Sequence, residues 1–132
     1  MTEPGPGSGR RRTGEDRRIK ALLIPVDGPA SVVDLPGDGG ARLMRALMKL
    51  TGARILDSYC FTTRWEIWLD GNGWAGEKPV NPAAARAIQA YGPDFPVLGA
   101  AVIVGLDDNS DPVTLSPAQI DIILSKIRAP AT

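Results

Sequence analysis

A chain of 132 residues, 43% apolar and 23% charged, has room for one ordinary domain and a tail. It holds no histidine and a single cysteine, Cys60, which excludes an internal disulfide, serine–histidine and cysteine–histidine catalysis, and the common zinc sites. Net charge is zero, but residues 1–20 are basic and the rest is mildly acidic, which makes the body a poor general binder of nucleic-acid phosphate.

Residues 1–18 read MTEPGPGSGRRRTGEDRR. Nothing in them can bury apolar surface, so a disordered, arginine-rich tail is expected. Such a tail can act as a nucleic-acid-binding arm or as a solubilising extension. A single domain is expected over 19–129. Glu15 and Asp16 interrupt the basic start, and no signal-peptide core follows it. The longest apolar run, Val97–Leu106, is half the length of a membrane span. A cytoplasmic location without membrane contact is expected.

The run from Ile19 to Val26 is apolar on both alternating faces and predicts a buried strand. Asp27-Gly28-Pro29 predicts a turn, and Ser31–Leu35 a second strand antiparallel to the first. A helix follows from about Gly39 to Thr51, with Asp38 as its N-cap and Gly52 in the left-handed closing position. Leu43, Leu47, Leu50 and Met44 form its apolar face, and Arg42, Arg45 and Lys49 fall largely on the other.

Residues 54–61 and 64–69 predict two strands joined through Thr62-Thr63. In the second, Trp65, Ile67 and Leu69 share one face, and Glu66 and Trp68 the other. Asp70-Gly71-Asn72-Gly73 predicts a tight turn whose glycines can hold positive φ. Asn81-Pro82 opens a helix to about Tyr91, with asparagine as cap and proline in the first turn. Ala84, Ala87, Ile88 and Tyr91 point inward, and Gly92-Pro93 stops it. Val97–Val104 predicts a central strand, followed by an acidic loop from Asp107 to Pro112.

The last helix has the clearest opening. Ser116 and Gln119 form a capping box, and Leu115 and Ile120 a hydrophobic staple. Ile120, Ile123, Leu124 and Ile127 make one stripe, and Pro130 ends it. The fold class is therefore α+β: a small, mixed but mainly antiparallel sheet with three helices, in the order β-β-α-β-β-α-β-α.

Neither Asp107–Asp111 nor Asp70–Gly73 keeps the spacing of a calcium loop. No metal and no cofactor is implied. Gly37–Gly40 lacks the lysine that ends a phosphate loop; Arg42 could assist an anion at this helix start, but the segment serves capping better. Cys60 reads as a buried structural thiol, since no histidine exists to activate it.

Three tryptophans lie within ten residues. Trp65 belongs to the core. Trp68 and Trp74, with Arg64 and Arg86 near them, offer a contact surface for a protein, a base or a nucleotide ring. The competing reading is a second small core beneath the loop.

The opening IKALLIPVDG, the helix ending Thr-Gly-Ala-Arg-Ile, Gly73 and the Pro79-Val80-Asn81 step resemble the uncharacterised family called domain of unknown function 3846. Val102-Ile103-Val104-Gly105 and Leu115-Ser116 extend the resemblance over residues 19–127. The chain departs from that pattern at Asp70-Gly71-Asn72 and at Gly99-Ala100-Ala101, which removes carboxylates the family carries. The resemblance implies a small accessory protein of phages, plasmids or their bacterial hosts, with no known activity. Eleven arginines against four lysines fit a GC-rich host such as an actinobacterium.

The leading reading is a non-enzymatic protein that binds a protein partner, and nucleic acid through its tail, with Trp68, Trp74 and Arg64 at the contact surface. The alternative is a small-molecule or nucleotide-binding domain or enzyme with its site near the 70–82 loop. A third is a DNA-binding module, which the acidic body disfavours.

Overall fold

The computed structural model describes residues 17–37, 40–73, 75–92 and 95–128. The fold is α+β, with six strands and three helices in the order β-β-α-β-β-α-β-β-α. The strands are β1 (Arg18–Ile24), β2 (Ser31–Pro36), β3 (Leu56–Cys60), β4 (Trp65–Asp70), β5 (Ala101–Leu106) and β6 (Pro112–Val113). The helices are α1 (Ala41–Thr51), α2 (Pro82–Gln89) and α3 (Pro117–Arg128). Among the described residues, no helix is long and apolar enough to cross a membrane.

All pairings are antiparallel, and the spatial order is β2-β1-β5-β4-β3. β5 is central and wholly buried, as its two apolar faces require. The sheet is the middle of three layers. Ile19, Ala21, Leu35, Val102 and Val104 pack under Leu43 and Leu47 of α1. Leu22, Ile24, Trp65, Ile67 and Ile103 pack under Ala84, Ala87 and Ile88 of α2 and Ile123 of α3. Successive side chains of β1, β4 and β5 thus feed opposite cores, which is the period-two rule applied to a sheet covered on both sides.

The expected tail falls on residues outside those described, except Arg17 and Arg18. These two already belong to the fold: Arg17 C=O accepts from Gly37 N–H at 2.7 Å, and β1 begins at Arg18. Asp38 also lies outside the described residues; the position that caps α1 is Gly40, with no side-chain bond. Gly52 closes α1 with φ 72°. The Ser116–Gln119 capping box forms in both directions, at 2.9 and 3.1 Å.

Three expectations need correction. The predicted strand 97–104 starts only at Ala101, because Gly99 turns the chain with φ 79° and a Cβ there would meet Lys78 Cδ at 2.8 Å. Gly71 and Gly73 do not hold positive φ; in that loop it is Glu77 that does, at 55°. The acidic loop hides a sixth strand. Asp107 Oδ1 accepts from Asn109 N–H and Asp111 N–H at 2.8 and 2.9 Å, folding the loop so that β6 pairs with β5. Leu115 N–H then donates to Lys20 C=O at 2.9 Å, so the chain after β6 is tied to β1.

Asn81 holds the layers in register. It is 0% exposed and is bonded at every polar position. Its Oδ1 accepts from Ala84 N–H at 3.0 Å, capping α2. Its Nδ2 donates to Ile24 C=O at 2.9 Å and to Gly99 C=O at 3.0 Å, clasping the end of β1 and the approach to β5. Its backbone N–H donates to Val97 C=O at 2.7 Å. Asn81→Ala is expected to cost about 3–5 kcal/mol, since it leaves two buried carbonyls and one helix-end N–H unpaired. Asn81→Asp keeps the cap acceptor but sets a carboxylate against both carbonyls. It should be at least as destabilising at neutral pH and recover partly on acidification. Urea unfolding of both variants at two pH values checks this.

Candidate functional site

The structure separates the residues expected to form one contact surface. Trp68 sits mid-strand in β4, half-buried, with its ring packed at the margin of the α1 core. Its Nε1, like that of Trp65, is enclosed without an acceptor among the described residues. Arg64 precedes β4, exposed, its Nη2 3.9 Å from Asp108 Oδ1. Four residues of extended chain put it about 13 Å from Trp68 at the usual rise per residue. Arg86 lies on α2, across the sheet from the Trp68 ring, and its Nε donates to Ile127 C=O at 2.7 Å. Trp74 lies outside the described residues. Trp65 is in the core as expected, held edge-on by Tyr91 at 5.5 Å between ring centroids.

Cys60 is exposed rather than buried. The reason is strand order: β3 pairs only with β4 and forms the rim of the sheet. Burial of the sulfur, then the nearby Glu66 carboxylate, pushes its thiol up from the ordinary value. That is the opposite of what a nucleophile needs.

The rim carries a surface that sequence reasoning missed. Ile55 and Tyr59 are 59% and 44% exposed. Period two puts both on the sheet face that α2 and α3 cover further in. Tyr59 meets the half-buried Phe95 edge-on at 5.4 Å. Beside them is a recess of about 250 Å³ lined by Asp57, Leu69, Gly71, Phe95, Pro96 and Leu98.

Gly71 N–H donates to Ile55 C=O at 2.8 Å, which fixes the phase of the ladder. The N–H and C=O groups of Leu56, Ser58 and Cys60 therefore point outward from the sheet. Ser58 N–H is occupied by Asp57 Oδ1 at 2.9 Å, leaving those of Leu56 and Cys60. The signal was present in Asp57 and Ser58, polar residues that suit a rim strand better than a central one.

The 70–78 loop forms a different concavity, about 270 Å³, lined by Gly52, Arg54, Asp70, Asn72, Gly76 and Lys78 among others. Its back wall is a nearly enclosed ion pair, Lys78 Nζ to Asp70 Oδ2 at 2.7 Å. Lys78 also donates to Thr51 C=O at 2.9 Å, fastening the loop to the end of α1. Asp70 Oδ1 accepts from Asn72 N–H at 2.8 Å. The Lys78 hydrogen bond, aided by that of Asn72, holds the Asp70 carboxyl below the ordinary 3.8. Lys20 does the same for Asp34 on the surface. The helix end at Pro82 offers no anion site through Ala84 N–H, because Asn81 already fills it.

Each of these three shifts moves a group away from acid–base or nucleophilic work near neutral pH. Among the described residues, no three His, Cys, Asp or Glu side chains gather to hold a metal. Comparison with protein-family models, curated proteins and solved structures gives no match.

Because Asp70 titrates lower folded than unfolded, its pairing stabilises the fold above the ordinary carboxylate value. That contribution is lost as pH falls through the depressed one. Asp70→Asn is therefore expected to cost about 1–2 kcal/mol at neutral pH. The gap to the unaltered chain should close below pH 3.8. Thermal unfolding of both proteins across that range checks the sign.

Proposed function

We propose that the chain is a non-catalytic binding domain that captures an extended segment of a partner protein along the rim of β3. The observation that supports this is the coincidence of three features at one edge. These are outward backbone groups on β3, the exposed apolar side chains of Ile55 and Tyr59, and the recess between Leu69, Phe95 and Leu98. An added strand takes its affinity from main-chain hydrogen bonds and its specificity from a pocket for alternate side chains. The recess is mainly apolar, and two carboxylates line it: Asp70, already paired with Lys78, and Asp57. It suits an apolar anchor flanked by lysine or arginine.

The resemblance noted in the sequence implied an accessory role in a mobile element or its host. It implied no known activity, so the binding reading rests on the β3 rim. In this reading Trp68 supports the α1 face from within, and Arg64 orders the neighbouring hairpins rather than making the contact.

One observation favours the alternative small-molecule site at the 70–82 loop. Arg54 lines that cleft, and no carboxylate among the described residues pairs with it. The cleft's other cation, Lys78, is already neutralised by Asp70.

Photo-crosslinking from position 59 in the native host, with position 32 on the opposite rim as control, separates these readings. A protein crosslinked from 59, absent from 32, and lost with Ile55→Asp while the melting temperature holds, is the expected result. Equal labelling from both rims, or capture insensitive to Ile55→Asp, would contradict the proposal.

A further inference from the structure

A second cleft lies at the opposite side of the strand order, where the turn between β1 and β2 meets α2 and α3. Its volume is about 310 Å³. Ile24, Ala30, Ala83 and Leu124 form its apolar walls, and Arg86 and Arg128 line it. No carboxylate is part of the lining, and among the described residues none lies within ion-pair distance of either arginine.

We infer that this cleft binds a small organic anion: a carboxylate or phosphate on an apolar body about the size of one ring. The volume stands at the lower end of the roughly 300–1,000 Å³ typical of small-molecule sites, so a larger ligand would not be enclosed. The walls supply apolar contact, and the two guanidinium groups supply charge with planar, forked donors suited to carboxylate or phosphate oxygens.

Arg86 is held in place beforehand. Its Nε donates to Ile127 C=O at 2.7 Å in the last turn of α3, which restricts the side chain and leaves its terminal nitrogens for an acceptor. Pre-organisation of this kind lowers the ordering cost of binding. Arg86 also satisfies a helix-end carbonyl, a structural duty that by itself would explain one arginine. It does not explain a second cation, Arg128, lining the same apolar recess without a counter-charge among the described residues. The site is independent of the β3 rim, so each reading stands or falls alone.

The test is an amide NMR titration of the whole chain with phenyl phosphate and with benzoate, alongside inorganic phosphate and benzyl alcohol as single-feature probes. Saturable shifts at Ala30, Ala83, Arg86 and Leu124 with either aromatic anion are expected. Each single-feature probe should bind about tenfold more weakly or worse, and Arg128→Gln should weaken the aromatic anions by about tenfold without moving the melting temperature. Arg86→Lys should weaken them similarly; if it also unfolds the protein, Arg128→Gln alone decides. Absence of saturable shifts at these amides, or binding unchanged by Arg128→Gln, would overturn the assignment.

Discussion

A buried asparagine side chain can satisfy an acceptor and two donors only if three pieces of backbone are brought to it in fixed positions. Asn81 is met in that way by Ala84, Ile24 and Gly99. Its place decides where α2 begins, where β1 ends and how the chain approaches β5. The segment before it runs beside residues 97–99, with Val80 paired to Leu98 and Gly99 N–H bonded to Pro79 C=O at 2.8 Å. An unpaired polar group in that setting costs far more than the bonds gain, so the arrangement enforces itself through the penalty for breaking it. The second clasp, Lys78 to Asp70 and Thr51, fixes the same loop to the far layer. Together they tie the 70–81 segment to both helical layers.

With the interior tied down, what remains for contact is where the sheet stops. β5 is buried on both faces and both edges, and β1 and β4 have strands on each side. β3 does not. The two carboxylates that the fold depresses, Asp34 and Asp70, hold a strand pair and a loop. The cleft at Arg86 and Arg128 follows a related logic at the other side of the sheet, where two helices and a turn leave a gap that their apolar side chains do not fill.

Much of this was legible locally. The capping box at Ser116, the cap at Asn81, the left-handed Gly52 and the alternation of Trp65 against Trp68 depend on neighbours within four residues. The structure places each as its spacing predicts. Asn81 could be read as a cap, but its two amide donors could not be assigned, because their acceptors lie 57 and 18 residues away. Cys60 was misplaced for a related reason, and the exposure of Tyr59 went unread. Their exposure depends on β3 being outermost, and strand order is a property of the whole chain. β6 escaped notice because two residues carry no periodicity; the side-chain and backbone bonds of Asp107 fold the loop that forms it. The separation of Arg86 from Trp68 likewise needed the layers to be known; that of Arg64 from Trp68 follows from strand spacing.

Native-state hydrogen exchange tests the central claim, that Asn81 anchors a rigid interior while the β3 rim stays open. The amides of Asn81, Ala84 and Ile103 should exchange only through global unfolding, with one shared free energy. Those of Leu56 and Cys60 should exchange through the folded state, orders of magnitude faster. Early exchange at Ala84 and Asn81 would mean that the asparagine does not organise the fold. Slow exchange at Leu56 and Cys60 would mean that the rim is already covered, and the binding edge would have to be sought elsewhere.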